Sequence, residues 1–483
     1  MQQSTRLSFW HLPLVFYVKR CRSGGTYGLL WRLGRTQFSC PSRVLKDQWI
    51  TNLRTSVKTH SPRRPNRLLV FINPFGGKKK GRKIYHSLVA PLFELAGISS
   101  HVIVTERANQ ARDHLLKKDL IGFDGVVCVG GDGMFSEILH GLIGRAQQEA
   151  GICENDPSVT LQPSSLHIGI IPAGSTDCVC YATVGVIDPV TSALHIVVGD
   201  SQPLDVCAVH QASAPLRYSV SLLGYGFYGD VLAESEKHRW MGPLRYDFSG
   251  TMVYLCNRSY AGIVQYIPAD PVLSSPRDRT RCLSGCSVCS RTDLTGTSFV
   301  RLVCLFASPL TFPDEWVSVE GRFRCVSLTC MSCACPRSPL GLSPSAHLAD
   351  GTGDLILVWD TNPLGFLKYL YRHTSAQDQF DLPFVEVHRV KAVRFSVPSS
   401  KEEEDCEEIG EPNKQKTPDS FLCGLCCSKS SAVSVWNCDG EILPITEVFC
   451  RIHGQLLHLY ARGIEDQALH GCSVENEATS YIN

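Results

Sequence analysis

Val126-Val127-Cys128-Val129-Gly130-Gly131-Asp132-Gly133-Met134-Phe135-Ser136-Glu137-Ile138-Leu139-His140-Gly141-Leu142-Ile143 reads as an apolar strand that passes through a glycine turn into a helix, because residues 134, 135, 138, 139, 142 and 143 share one helical face. Glycines let a backbone approach a ligand closely, and the free N–H groups of a helix start favour phosphate. A carboxylate there works against a purely electrostatic anion hole. Asp132 is therefore read as a general base or a metal-water ligand. The plainer alternative is an Asp capping a glycine-rich strand-to-helix turn.

Outward from this stretch, strand-like runs at 68–72, 102–105, 126–129 and 168–171 alternate with helical segments, which predicts an α/β domain with a buried, largely parallel sheet. The runs end in Asn73-Pro74-Phe75-Gly76-Gly77-Lys78-Lys79-Lys80-Gly81, in Thr105-Glu106-Arg107-Ala108-Asn109, in the turn at 130–133, and in Pro172-Ala173-Gly174-Ser175-Thr176-Asp177. Polar and glycine-rich loops thus share the carboxyl edge of the sheet, where open α/β folds bind ligands. Beyond residue 205 helices thin out, and runs at 218–223, 263–267, 299–306, 355–359 and 390–397 predict a second, mainly β domain. An acidic stretch at 399–431 reads as a disordered insertion, and order resumes at 433–444 and 448–462.

The 483 residues suit two to four domains, and Lys+Arg 47 against Asp+Glu 46 leaves a net charge of +1. No global field recruits nucleic acid, so anion binding must be local. Cysteine, at 23 residues, is too sparse for a disulfide scaffold and suggests mostly free thiols in a reducing compartment. His11 and Pro13 interrupt the apolar stretch at 9–18, so no signal peptide is read, and no apolar run is long enough to span a bilayer.

Two motifs fail inspection. The loop at 76–83 lacks the Gly-Lys-Ser/Thr ending of a Walker A sequence, and Gly224-Tyr225-Gly226-Phe227-Tyr228-Gly229-Asp230-Val231 is a lone glycine match with no VAIK, HRD or DFG partner. Cys282, Cys286 and Cys289 form the tightest thiol cluster, beside Arg277, Arg279 and Arg281, whose charge suits anionic headgroups. Zinc asks for four ligands, and no second C-x2-C pair follows at finger-like spacing.

NPFGGKKKG, TERAN, VGGDGMFSEILHGL and IPAGSTD, in that order, resemble the diacylglycerol-kinase-type lipid kinase superfamily; SLLGYGFYGD, SEKHRWMGPLRYDFSG, MSCACPRSP, GLSPSAHLADG, RHTSAQDQFD and WNCDGE resemble its ceramide kinase branch. The resemblance covers roughly residues 66–465. It implies an α/β nucleotide-binding domain at 66–205 and a mainly-β sandwich lipid-binding domain at 206–465, with the active site in the interdomain cleft and a tail at 466–483. It implies ATP contacts at Asn73, Pro74 and Phe75, at Thr105, Glu106, Arg107, Ala108 and Asn109, at Glu137, and at Gly174, Ser175 and Thr176. Asp132 corresponds to the catalytic aspartate, with Gly130, Gly131 and Gly133 close to the acceptor lipid. Arg239 and Arg245 fall where related kinases hold nucleotide phosphates, although the residues alone favour a solvated helix face. Asp439, Gly440 and Glu441 match a late motif that returns to the ATP site, where the residues alone read as a turn. Asp350 and Asp354 look like an acidic motif tied to a structural magnesium.

The implied activity is ATP- and Mg²⁺-dependent phosphorylation of the primary hydroxyl of ceramide; the alternatives are a diacylglycerol or sphingosine kinase, or a non-catalytic lipid-binding protein. Leu232 stands where sphingosine kinases carry an acid, which fits a neutral amide better than an ammonium. A lipid acceptor implies peripheral membrane contact from the cytoplasm, at the Golgi or plasma membrane by family. The segment Leu364-Gly365-Phe366-Leu367-Lys368-Tyr369-Leu370-Tyr371-Arg372-His373 suits a membrane surface or Ca²⁺/calmodulin, with a buried helix or strand as the alternative. Related kinases begin with a pleckstrin-homology domain, of which residues 37–53 resemble the last strand and closing helix. Residues 1–60 are accordingly read as an incomplete remnant of that domain, from a truncated or alternative start. Met134 also departs from the threonine usual after this glycine turn.

Overall fold

Four strands, β1 (Arg67–Ile72), β2 (Ser99–Val104), β3 (Gly125–Gly130) and β4 (His167–Pro172), pair in parallel in the order β2-β1-β3-β4. Ile72 lies opposite Val104 and Val129, and Val129 opposite Ile171, so the four following loops line one edge. Alternate side chains go to opposite faces. Leu69, Phe71, Val126 and Cys128 pack with α1 (Gln110–Lys117) and α2 (Asp132–Ala150), while Leu68, Val70, Ile72 and Val127 meet Tyr85, Phe93, Leu194 and Ile196. Burial on both faces is why β1 and β3 are almost wholly apolar, whereas β2, at the end of the sheet, carries Ser99, Ser100 and His101.

The computed structural model describes residues 10–465 except 12–14, 23–28, 213, 243, 270–274, 292–315, 376 and 399–432. The strand expected at 299–306, the insertion at 399–431 and the tail at 466–483 lie outside the described residues. After α3 (Cys178–Val184) and α4 (Pro189–Val198), the chain turns antiparallel with β5 (Gln202–Gln211), β6 (Ala214–Ser219) and β7 (Leu223–Gly226). Helices α5 (Phe227–Lys237) and α6 (Leu244–Cys256) precede β8 (Tyr260–Pro268), β9 (Val317–Thr329) and β10 (Gly353–Trp359). Helix α7 (Pro363–Arg372) leads to β11 (Val385–Ser396), β12 (Trp436–Cys438), β13 (Glu441–Leu443) and β14 (Val448–Leu459).

The antiparallel strands run β13-β12-β7-β9-β8-β11-β14, with β10 also pairing β9 and β11, and β5 joining β6 to β14. Their inner faces meet in an aromatic core, where the Tyr225 ring lies 4.6 Å from Phe395 and 5.1 Å from Trp436. β14 also meets β4 in parallel at Leu459 and Ile168, so both halves share one 14-stranded ladder. The pairing gives the outer side of β4 a partner at Ile168, whose carbonyl accepts the Tyr460 amide at 2.8 Å.

The run expected as one strand at 218–223 is broken between β6 and β7, for a reason that concerns the site below. In α7, Phe366 and Tyr369 are buried whereas Leu364, Leu367 and Tyr371 are exposed, so the helix presents its aromatic anchors to the core. Among the described residues no single helix is long and apolar enough to cross a membrane.

Within residues 10–60, a hairpin of Val15–Arg22 and Leu29–Thr36 precedes the helix Arg43–His60. The hairpin docks on α4: the Trp31 amide donates to Thr191 Oγ1 at 3.0 Å, and Arg32 pairs with Asp188 at 2.7 Å. The helix buries none of its residues, and Val44, Leu45, Trp49, Leu53 and Val57 stay exposed.

Candidate active site

The loops at the carboxyl edge face the turns around 221, 333 and 439 across a groove of about 690 Å³. One wall is polar, built from Asn73, the turn at 131–133, Glu137 and the loop at 174–176; the other includes Leu222, Tyr228 and Leu342. Asp132 opens α2 on the polar wall. Its Oδ1 accepts the Val179 amide at 3.0 Å and its Oδ2 the Cys178 amide at 3.1 Å, which fixes the carboxylate. Burial pushes its proton affinity up, the two amides oppose that, and the Asp439 charge adds to the rise.

The loops pack backbone against backbone. A Cβ on Gly174 would lie 2.5 Å from the Gly131 Cα, and one on Gly131 2.9 Å from the Gly174 Cα, so neither position admits a side chain without displacement. Gly133 differs: its Cβ would meet nothing within 4 Å. Part of the glycine pattern therefore serves loop contact, and of Gly131, Gly133 and Gly174 only Gly133 has open space where a Cβ would stand.

Asp177 closes the same loop from a left-handed backbone position, φ +51°, with Oδ1 accepting the Gly174 amide at 3.0 Å. The sequence alone assigns Asp177 no role. Burial pushes its carboxyl up to about 6, with the Asp132 charge contributing. Against an unfolded value near 3.9, its charge opposes folding fully above pH about 6. That opposition fades as pH falls toward 4 and the unfolded chain takes up the proton as well. Asn tolerates the same backbone and keeps the bond to Gly174. Asp177→Asn is expected to raise stability by on the order of 1–2 kcal/mol near neutral pH, a gain that shrinks below pH 6; denaturant titration at several pH values measures it.

Asn73 folds its loop by accepting the Phe75 and Gly76 amides at 2.8 and 3.1 Å, leaving Phe75 exposed beside Pro74. Thr105 is buried, bonded to the Ile72 carbonyl, and the Gln110 side chain accepts the Glu106 and Arg107 amides. Glu137 joins this loop to α2 by accepting the Ala111 amide at 3.3 Å, and a backbone bond from Asn109 also reaches it. Thr105, Glu106, Arg107, Ala108 and Asn109 thus stand behind Glu137, outside the groove lining.

Asp439, Gly440 and Glu441 do reach the groove. Asp439 takes five hydrogen bonds, from the Ser219 and Ser221 hydroxyls and the amides of Val220, Ser221 and Leu222, all between 2.8 and 3.1 Å. This is what breaks the expected strand at 218–223. Its oxygens are committed to that turn, which makes Asp439 a positioning residue; Gly440 is held by Asn437, and Glu441 pairs with Arg217 at 3.2 Å.

Arg239 and Arg245 stay outside the groove lining. Both pair with Glu236, Arg245 at 3.3 Å, and Arg245 also donates to the Tyr246 hydroxyl at 2.6 Å. Glu236 therefore already takes up charge that a phosphate would use. Leu232 is buried, and Asp230 is held by Tyr260 and Ser434.

The cation expected at Asp350 and Asp354 meets a guanidinium instead. Arg389 donates to Asp354 from Nε at 2.9 Å and from a terminal nitrogen at 3.2 Å, and its other terminal nitrogen lies 3.7 Å from Asp350. Ser343 completes Asp354 at 2.5 Å, and Thr352 occupies the second oxygen of Asp350. Since Arg389 already supplies the positive charge, the pair as placed does not fit a divalent ion.

Residues 67–209 match the diacylglycerol kinase catalytic domain family, and residues 308–476 the ceramide kinase C-terminal domain family. The chain is 51% identical to human ceramide kinase over 94% of this chain and 83% of that protein, and 47% identical to mouse ceramide kinase over 95% and 86%. A crystal structure of a putative diacylglycerol kinase from Bacillus anthracis shares the fold, with a TM-score of 0.51 and 12% identity over 84% of this chain and 97% of that chain.

Proposed function

The chain belongs to the ceramide kinase family, ATP-dependent lipid kinases whose acceptor is ceramide, and on that premise we propose that the groove around Asp132 is where ATP and the lipid hydroxyl meet. The observation that carries this reading is a fixed, half-buried carboxylate on a polar, glycine-lined wall facing an apolar one. Such a groove suits an acceptor that is polar at one end and hydrocarbon at the other.

An alcohol is protonated at neutral pH and needs a base as it attacks phosphorus. Asp132 supplies one: the Cys178 and Val179 amides aim its oxygens, and its raised proton affinity improves it as an acceptor. The open space at Gly133 leaves room for the hydroxyl-bearing carbon beside it. For the nucleotide, the amides of Gly77, Ser175 and Thr176, which the bonds within these loops do not use, are placed to donate to phosphate oxygens, and exposed Phe75 offers a face to the base. The Asp439 charge raises the proton affinity of Asp132, and the Asp132 charge that of Asp177, so the polar wall carries a negative potential that fits a cationic neighbour. Magnesium bound with ATP supplies countercharge for the phosphates.

Radiolabelled ATP offered with ceramide, diacylglycerol and sphingosine side by side tests the reading. Label is expected in ceramide, at least about ten-fold over the other two, a modest 1.4 kcal/mol of discrimination. Equal labelling of diacylglycerol, or ceramide binding without transfer, overturns it.

The acceptor lies in a membrane, and Trp240, Leu244, Phe248 and Leu255 form an exposed apolar surface on α6 and the turn before it, next to Tyr246 of the groove. This surface supports a peripheral docking role. Trp240→Glu is expected to weaken sedimentation with ceramide-containing vesicles about ten-fold, while activity toward a short-chain, detergent-dispersed ceramide stays near wild type. Unchanged vesicle binding would place the contact elsewhere.

A further inference from the structure

The C-x3-C-x2-C thiols have a fourth companion that spacing did not show. His347 lies 61 positions beyond Cys286, yet its Nδ1 stands 3.3 Å from the Cys286 sulfur. Cys282 and Cys289 place their sulfurs 3.7 Å apart, and the four ligand atoms all lie within 4.8 Å of one another. Tetrahedral zinc with Zn–S bonds of about 2.3 Å holds its sulfurs roughly 3.8 Å apart, with sulfur-to-nitrogen edges slightly shorter. The observed separations follow that pattern.

We propose that Cys282, Cys286, Cys289 and His347 form a structural Zn²⁺ site. Three sulfurs and one imidazole nitrogen are a closed structural set, and soft thiolates favour zinc over the oxygen-seeking cations. The surroundings suit a thiolate centre. The Leu348 amide points at the Cys282 sulfur at 3.4 Å, the outer contact that orients a metal ligand. Cys289 and His347 are buried, and His347 makes no hydrogen bond through Nε2, so the contact on its Nδ1 side is what accounts for the ring's orientation.

The site would tie together distant parts of the chain. The cysteine segment is pinned to the chain beyond β14, where the Ser284 amide donates to Ile464, and His347 lies in the loop that continues to Asp350 and Asp354. The other end of that loop supplies Cys333, Ser338 and Leu342 to the groove. Zinc would therefore hold the groove's apolar wall from behind, whichever lipid is the acceptor.

The full chain, expressed with zinc in the medium and purified without chelator, is expected to carry one zinc by mass spectrometry of the metal. Cobalt exchanged into it should show thiolate-to-cobalt charge-transfer bands and tetrahedral d–d bands. Cys286→Ser and His347→Ala should each lose the metal, whereas His347→Cys, which completes a four-sulfur set, should keep it. A chelator should release the zinc and lower the melting temperature, with recovery on zinc addition. Zinc well below one per chain, a cobalt spectrum without thiolate bands, equal zinc in wild type and Cys286→Ser, or a Cys282–Cys289 disulfide in the purified protein would each overturn the site. The cobalt spectrum is read on wild type, so a variant that fails to fold does not shield the proposal.

Discussion

Asp132→Asn is expected to lower kcat for ceramide phosphorylation by about 10²–10⁴-fold, the usual contribution of a general base, while the affinity for ATP changes less than about three-fold. The asymmetry follows from the geometry. The carboxylate accepts two amides, from Cys178 and Val179, through separate oxygens. Asparagine keeps one of these bonds and turns an N–H toward the other amide, so the loop at 174–178 shifts slightly but keeps its donors to phosphate. What is lost is the proton acceptor. In wild type, activity should fall with decreasing pH along a limb set by a carboxyl titrating above the ordinary aspartate range, since burial and the Asp439 charge raise it. The residual activity of the Asn variant should lack that limb. A variant within ten-fold of wild type, or one retaining the same acid limb, would remove Asp132 from the role of base.

The parallel half was legible because burial on both faces leaves a simple trace. Strands 67–72, 125–130 and 167–172 are apolar apart from Arg67 and His167 at their starts, glycine loops follow them, and their register puts those loops on one edge. The halves of the ladder were not legible as one sheet. β14 joins β4 through a pairing nearly 300 residues apart, and nothing local to Ile168 or Leu459 announces it. Asp439 shows the same limit. The amides at 220–222 sit in a run that favours a strand, and a carboxylate more than 200 residues away claims them.

Within the site, residue types single out a carboxylate in a glycine turn, but the partners that fix it come from elsewhere. Asp132 is aimed by amides that follow IPAGSTD, and an aspartate after Ser-Thr, as Asp177 is, carries no local mark that separates it from a helix cap. Arg239 and Arg245 were expected on phosphates, yet Glu236, three positions before Arg239 and facing Arg245 from the preceding helix, takes both charges. His347 belongs with Cys282, Cys286 and Cys289 only in three dimensions.

Arg389→Met should cost about 3–5 kcal/mol of stability, as does breaking one side of a buried ion pair. Arg389 stands on β11 directly opposite Asp354 on β10, both almost fully buried, and the same guanidinium donates to the Ser345 carbonyl at 2.6 Å. Methionine fills the space of the side-chain stem but leaves Asp354 with Ser343 alone and deprives Asp350 of its nearest cation. Asp205 worsens the arrangement. It is buried, accepts the Gly351 and Gln455 amides at 2.6 and 2.7 Å, and is pushed well above the usual carboxylate range by burial and by the Asp350 charge. Three carboxyls would then crowd one interior with no countercharge. Arg389→Met combined with Asp354→Leu removes both charges, and should recover much of the loss, with a coupling of 1–3 kcal/mol in the double-mutant cycle. The same measurements decide between ion pair and metal. If Arg389 is the countercharge, magnesium without nucleotide leaves the wild-type melting temperature unchanged; a magnesium-dependent rise that Asp354→Asn abolishes would return the motif to a cation.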